Sequence, residues 1–222
     1  MNHYQALSAV LMYPEPELIA ALPAIEEILA KTPQLHAPLR VLLDQLADTA
    51  LIDLQQNYVA TFDRNPAQSL HLFEHIHGES RDRGQAMVDL LEEYKRHGLE
   101  MCGDDLPDYV PLFLEFLSQQ TAEEAARLLS DAVHVLAHIG GKLRANGSAY
   151  AAVFEVLELL SPVAAQALSE PPIRDMDEAL ETFGPGADGV EPLLKTMPGR
   201  DRQNTQPINF YPKGARSVSR ND

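Results

Sequence analysis

Apolar residues recur along this chain three and four positions apart, the spacing that lines one face of an α-helix. Thr32-Pro33 reads as a cap followed by a first-turn proline, opening a helix whose apolar face is Leu35, Leu39, Leu42, Leu43 and Leu46. Leu51, Leu54, Tyr58 and Phe62 mark one face of the next. Asn65, Pro66 and Gln68 supply a cap, a first-turn proline and a third-position amide, and so start a short helix running toward His75. Thr121 and Glu124 repeat that logic ahead of a long helix with Ala125, Leu128, Leu129, Ala132, Leu136, Ile139 and Leu143 at core spacing, closed by Asn146-Gly147. Ser148 then caps a helix buried through Tyr150, Val153, Phe154, Leu157 and Leu160. No stretch alternates apolar with polar residues and no fixed period recurs. The expected fold is therefore all-α, a compact helical bundle and not a repeat array.

Two stretches depart from this regular pattern. In LFEHIHGESRDRGQAM, residues 72–87, His75 and His77 are expected at the end of the helix begun at Asn65, where partial negative charge favours imidazolium, with Gly78 in the left-handed closing position. A new helix is expected from about Glu79 to His97, with Met87, Leu90, Leu91 and Tyr94 inward and Gly98 as its stop. Its first turn is costly, because Arg81 and Arg83 oppose the positive helix start and Gly84 replaces a better helix former. Two accounts remain open. One is an ion-pair lattice, Glu79 with Arg83 and Arg81 with Glu74 or Asp82, around a close helix crossing at Gly84. The other is a polar surface preorganised to hold a peptide. In GDDLPDYVPLFLEFL, residues 103–117, Asp105 or Asp108 is expected to cap an almost wholly apolar helix through Val110, Phe113, Leu114, Phe116 and Leu117. Asp104, Asp105 and Asp108 can also place negative charge beside an apolar groove suited to a basic amphipathic peptide.

Composition narrows the function classes. The 222 residues are 45% hydrophobic, enough for one sizeable domain. With 33 acidic against 17 basic side chains, the chain would repel a phosphate backbone, so nucleic acid is not an expected partner. Residues 1–169 hold 24 of the acidic and 10 of the basic side chains, a balance of −14, so the acidity belongs to the helical domain. Residues 170–222 hold 7 of the 16 prolines and 5 of the 12 glycines, and are expected to form a flexible tail. Ile173, Met176, Leu180 and Phe183 keep helical spacing within it, as a short amphipathic helix would, and PINFYP at 207–212 is a second apolar segment. The single cysteine, Cys102, fits a reducing compartment, and no apolar run approaches the roughly 18 residues of a membrane span. The N-terminal stretch lacks the basic start of a signal peptide, so a cytoplasmic location is expected.

Histidine spacing raises an enzyme alternative, a metal-dependent hydrolase using His71, His75 and His77, since His71 and His75 stand four apart. The zinc-protease pattern needs Glu directly after the first histidine, whereas Leu72 follows His71, so the helix-end reading is preferred. A generic acidic helical adaptor is the other alternative.

LFEHIHGESRDRGQAMVDLL (72–91) and LPDYVPLFLEFL (106–117) closely resemble the two signatures of the NarJ-type chaperones, which assemble the molybdenum-containing catalytic subunit of respiratory nitrate reductase. The likeness includes the LQQNYVATFDR approach and weakens beyond residue 169. It implies the all-helical fold of the TorD-like and DmsD-like maturation chaperones, an assembly factor and not an enzyme, and no resident cofactor or metal. The implied partners are the N-terminal segment of the apo nitrate reductase alpha subunit and molybdenum cofactor biosynthesis proteins. The implied peptide-binding surface comprises Leu72, Glu74, His75, Glu79, Arg81 and Arg83, with Asp105, Pro107, Asp108 and Tyr109. Tyr109 stands where TorD-like members often carry histidine, so no role of that histidine transfers.

Overall fold

The computed structural model describes residues 2–78, 82–101 and 105–168. Cys102, Asp104, Glu79, Arg81 and both apolar tail segments lie outside them. The described residues form α1 (His3–Leu11), α2 (Pro16–Ala30), α3 (Pro33–Asp48), α4 (Leu51–Tyr58), α5 (Leu72–His77), α6 (Asp82–Arg96), α7 (Val110–Ser118), α8 (Ala122–Ala145) and α9 (Ala151–Leu160). They contain no named strand. The fold is the expected all-α bundle.

Local chemistry fixes several ends. At α1, Asn2 Oδ1 accepts the Gln5 N–H while Gln5 Oε1 accepts the Asn2 N–H, a reciprocal capping box. Thr121 Oγ1 accepts the Glu124 N–H at 3.2 Å, but Glu124 turns its carboxylate to Arg127, so only half of the expected box forms at α8. Gly147, at φ +70°, closes α8 as expected, with the Ser148 N–H reaching back to Leu143 O. Thr32 makes no side-chain cap, and α9 starts from the Ser148 backbone carbonyl, not its hydroxyl.

The core is built by the predicted faces of α3, α7, α8 and α9, with Leu35, Leu39, Leu42, Phe113, Leu114, Leu136, Ile139, Phe154 and Leu157 all buried. α8 lies on α9, α3 on α2 and α9, and α1 on α7 and α2. Burying such side chains stabilises by roughly 1.5–3 kcal/mol each before chain entropy is counted. The α8–α9 contact depends on Gly140, where an added Cβ would lie 2.6 Å from Phe154 Cβ. Gly84 is different. It is exposed, and among the described residues a Cβ there would meet nothing within 4 Å, so they provide no close helix crossing at Gly84.

α6 also departs from expectation. Of its residues only Tyr94 is buried, while Met87, Leu90 and Leu91 are partly exposed and Val88 is 47% exposed. The predicted inward face is real as a pattern, but only Tyr94 is buried in the bundle, with Leu90 packed against it in part. The apolar face of α4 continues as a π-helical turn, Val59–Asp63, in which the Arg64 N–H bonds Val59 O at 3.0 Å.

These two glycines make opposite predictions. Gly140→Ala should lower stability by about 1–2 kcal/mol, overpacking against Phe154 outweighing the gain in helix propensity. Gly84→Ala should raise it by about 0.5–1 kcal/mol. Urea denaturation followed by circular dichroism checks both.

Candidate functional site

The two unusual stretches are joined in space. The helix from Asn65 does not run to His75: Pro66–Gln68 is a single 3-10 turn, Ser69–His71 is not helical, and α5 starts anew at Leu72. His71 and Tyr109 form an antiparallel bridge, with the Leu72 N–H on Asp108 O at 3.0 Å and the Val110 N–H on Leu70 O at 2.8 Å. Asp108 sits at its centre, 0% exposed. Its Oδ2 accepts the Phe73 N–H at 3.0 Å, and its Oδ1 lies 3.3 Å from His71 Nδ1. Phe73 is the second residue of α5, so Asp108 caps α5 from another segment. It does not cap α7, as neither Asp105 nor Asp108 bonds that helix start. Burial pushes the Asp108 carboxyl pKa up, but the His71 and Phe73 hydrogen bonds and the charges of His71 and Arg83 outweigh it and hold the pKa below the ordinary value. An ionised carboxylate only accepts, so His71 carries its hydrogen on Nδ1 toward Asp108.

Next to this brace lies a groove of about 250 Å³ lined by Tyr13, Tyr58, Phe62, Asp63 and Tyr109, with Ser69, Leu70 and His71 along one side. Tyr13, in the turn after α1, meets Tyr58 edge-on at 5.5 Å, and Tyr58 stacks obliquely on Phe62 at 4.8 Å. The Tyr58 hydroxyl donates to Leu11 O at 3.0 Å and lies 3.1 Å from the Tyr109 hydroxyl. Tyr58 has one hydrogen and spends it on Leu11, so Tyr109 donates to Tyr58. Burial raises the pKa of both phenols, and the negative charges of Asp105 and Asp63 raise Tyr109 further. Both stay neutral.

The remaining predicted residues divide between frame and surface. Leu72 is in the core, and Pro107 is buried with its carbonyl accepting the Tyr94 hydroxyl at 2.7 Å. His75 is 8% exposed, with Nε2–H on Ser69 O at 2.8 Å. Burial lowers its pKa, opposed by the Ser69 bond and reinforced by His138 and Lys142, so His75 is neutral and the imidazolium expected at the helix end is not formed. Glu74 pairs with Arg83 at 3.0 Å, while Asp105 is exposed. The Glu74–Arg83 pair joins α5 to α6 and is not one of those expected, Glu79 and Arg81 lying outside the described residues. Sequence reasoning missed Tyr13, Tyr58, Phe62 and Asp63 as groove residues, because Tyr58 and Phe62 at i,i+4 look like ordinary core.

The three histidines of the hydrolase alternative do not converge. His71 precedes α5 and is tied to Asp108, His75 turns toward Ser69 and His138, and His77 packs on the Phe73 ring. Among the described residues, the side chains close enough to share an ion are instead Glu93, His97 and Glu124. Arg127 already bonds both of those carboxylates, at 3.3 and 2.6 Å. That cluster ties α6 to α8.

The family model for the nitrate reductase delta subunit matches residues 28–155. The chain belongs to that family. Nitrate reductase molybdenum cofactor assembly chaperone NarJ of Escherichia coli K12 is 42% identical over 163 residues, 71% of this chain and 69% of NarJ. NarW of the same organism, named for the same assembly role, is 46% identical over 112 residues, 50% of this chain and 48% of its own. A crystal structure of a redox enzyme maturation protein from Archaeoglobus fulgidus shares the fold, with a TM-score of 0.55 at 20% identity over 71% of this chain and 90% of that one. Within this delta-subunit family chain, the Asp108 brace and most of the groove fall inside the matched stretch; Tyr13 precedes it.

Two predictions test the frame. Because the folded pKa of His75 lies below the ordinary 6.5, its stabilising effect is complete above that pH and declines as pH falls toward the folded value. The urea midpoint should therefore drop between pH 7.5 and 5.5, and His75→Gln should flatten that drop. Asp108→Ala should cost about 2–3 kcal/mol at pH 7 through loss of the α5 cap and the orphaned Phe73 N–H, read as a lower urea midpoint.

Proposed function

We propose that this chain is a system-specific chaperone of respiratory nitrate reductase. It binds the N-terminal segment of the apo alpha subunit, keeps that subunit open for insertion of the molybdenum cofactor, and holds it back from premature membrane attachment. Molybdenum cofactor biosynthesis proteins meet it at that step, in the cytoplasm. Among the described residues no helix is long and apolar enough to cross a membrane.

One observation carries the reading: the two signature stretches are braced together beside an open aromatic groove on a strongly acidic body. An amphipathic segment can lay apolar side chains on the rings and face its basic ones toward the carboxylates. The family and the assembly-chaperone roles named for NarJ and NarW support the chaperone part of this reading. No activated nucleophile or open metal position is needed, since holding a client requires neither.

Calorimetric titration of the full chain with a synthetic alpha-subunit N-terminal segment tests it. Saturable binding should weaken as salt rises. Asp105→Lys should weaken it roughly three- to tenfold, more than Asp44→Lys on α3, which alters net charge equally. Absence of binding would favour the generic adaptor, and indifference to both salt and Asp105 would remove the electrostatic part.

A further inference from the structure

The groove is unevenly equipped with hydrogen-bonding groups. Tyr58 spends its hydrogen on Leu11 O and Tyr109 spends its own on Tyr58, so Tyr109 offers the groove oxygen lone pairs alone. His71 is held at the groove edge by its Nδ1–H bond to Asp108. Asp63, exposed on the wall, makes no ion pair among the described residues. The Tyr13 and Ser69 hydroxyls rotate and accept as readily as they donate. Around these acceptors stand the rings of Tyr13, Tyr58, Phe62 and Tyr109, whose faces carry negative quadrupole potential.

Acceptors, ring faces and an unpaired carboxylate share one complement, a group that is cationic, rich in N–H donors and able to lie flat on a ring. We infer that the groove is a receptor for a single cationic side chain, a guanidinium before an ammonium, delivered by the bound client segment. A guanidinium has five donors and no acceptor, stacks on aromatic faces and is weakly hydrated, so it meets these features together. A carboxylate would face Asp63 and lone pairs, and an aliphatic side chain would leave Asp63 without an ion-pair partner. This assignment rests on the client reading above and adds to it the chemistry of the contact. It gives the groove a selective role, because an apolar wall admits many amphipathic peptides, whereas a cage with one carboxylate rejects those lacking a cation at the right position.

The test uses the full chain and the alpha-subunit N-terminal segment, synthesised with each arginine replaced in turn by citrulline and each lysine by norleucine. One replacement should cost about tenfold in affinity, and that cost should shrink below about threefold in Asp63→Asn and in Tyr13→Leu. Both positions are rim residues, Tyr13 being 42% exposed, so these variants should fold, as far-UV circular dichroism will show. If no replacement couples to Asp63 or Tyr13 while the segment still binds, the cage is overturned and the chaperone reading stands. If the segment does not bind, N-acetyl-arginine amide is titrated against tyrosine ring resonances. Shifts at Tyr13, Tyr58 and Tyr109 with the arginine amide and not its citrulline counterpart support the cage alone, and their absence overturns it.

Discussion

Asp108 is a carboxylate kept ionised without exposure to solvent, and the geometry of the site depends on how that charge is satisfied. A buried carboxylate is tolerated only when strong donors replace water. Here they are the Phe73 N–H and the His71 ring, both at the start of α5. α5 has six residues, too few to persist as an isolated helix, so its cap, its bridge to residues 108–110 and the burial of Leu72 and His75 are what hold it. The same bridge sets Tyr109 at 3.1 Å from Tyr58, and that hydroxyl pair forms one wall of the groove. A charge satisfied at one helix start thereby shapes a surface on a different element.

Long periodic elements were legible in the sequence because their information is local. The buried faces of α3, α7, α8 and α9 match their three-and-four spacing, and Asn146-Gly147 ended α8 by chemistry that needs no tertiary partner. Asp108 was misread for the complementary reason. A cap two residues ahead of an apolar helix is the local expectation, whereas its actual partner is Phe73, 35 residues earlier. Gly84 and Gly140 carry the same propensity in a sequence. Only the presence of Phe154 against one, and open space beside the other, separates a required glycine from a tolerated one.

The groove was hidden by a similar ambiguity. Tyr58 and Phe62 satisfy a helical face whether they end in a core or beside a cavity, and both are largely buried here. Adding Tyr13 from the turn after α1, which no spacing rule connects to α4, is what opens the site. The resemblance drew the expected peptide surface around the residues of the two signature-like stretches. Several of those, Leu72, His75, Pro107 and Asp108, turn inward to build the frame.

α6 joins this frame by different means. Tyr94 and Leu90 pack on the core, and the rest of its hold comes through polar contacts, Glu74–Arg83 to α5 and the Glu93, His97, Glu124 and Arg127 cluster to α8. Partly exposed ion pairs contribute little each and weaken with salt, so this helix opens at lower cost than the apolar bundle. On the proposed chaperone reading, a fixed aromatic groove and a more loosely attached helix would meet two separate requirements of holding a client. The rigid part supplies recognition without ordering cost, and the loose part gives adaptable apolar surface, Met87, Val88 and Leu91, without disturbing Asp108. Such a division would, on that reading, favour binding that is selective yet moderate in strength, with a preorganised cage at one point and an adjustable surface elsewhere.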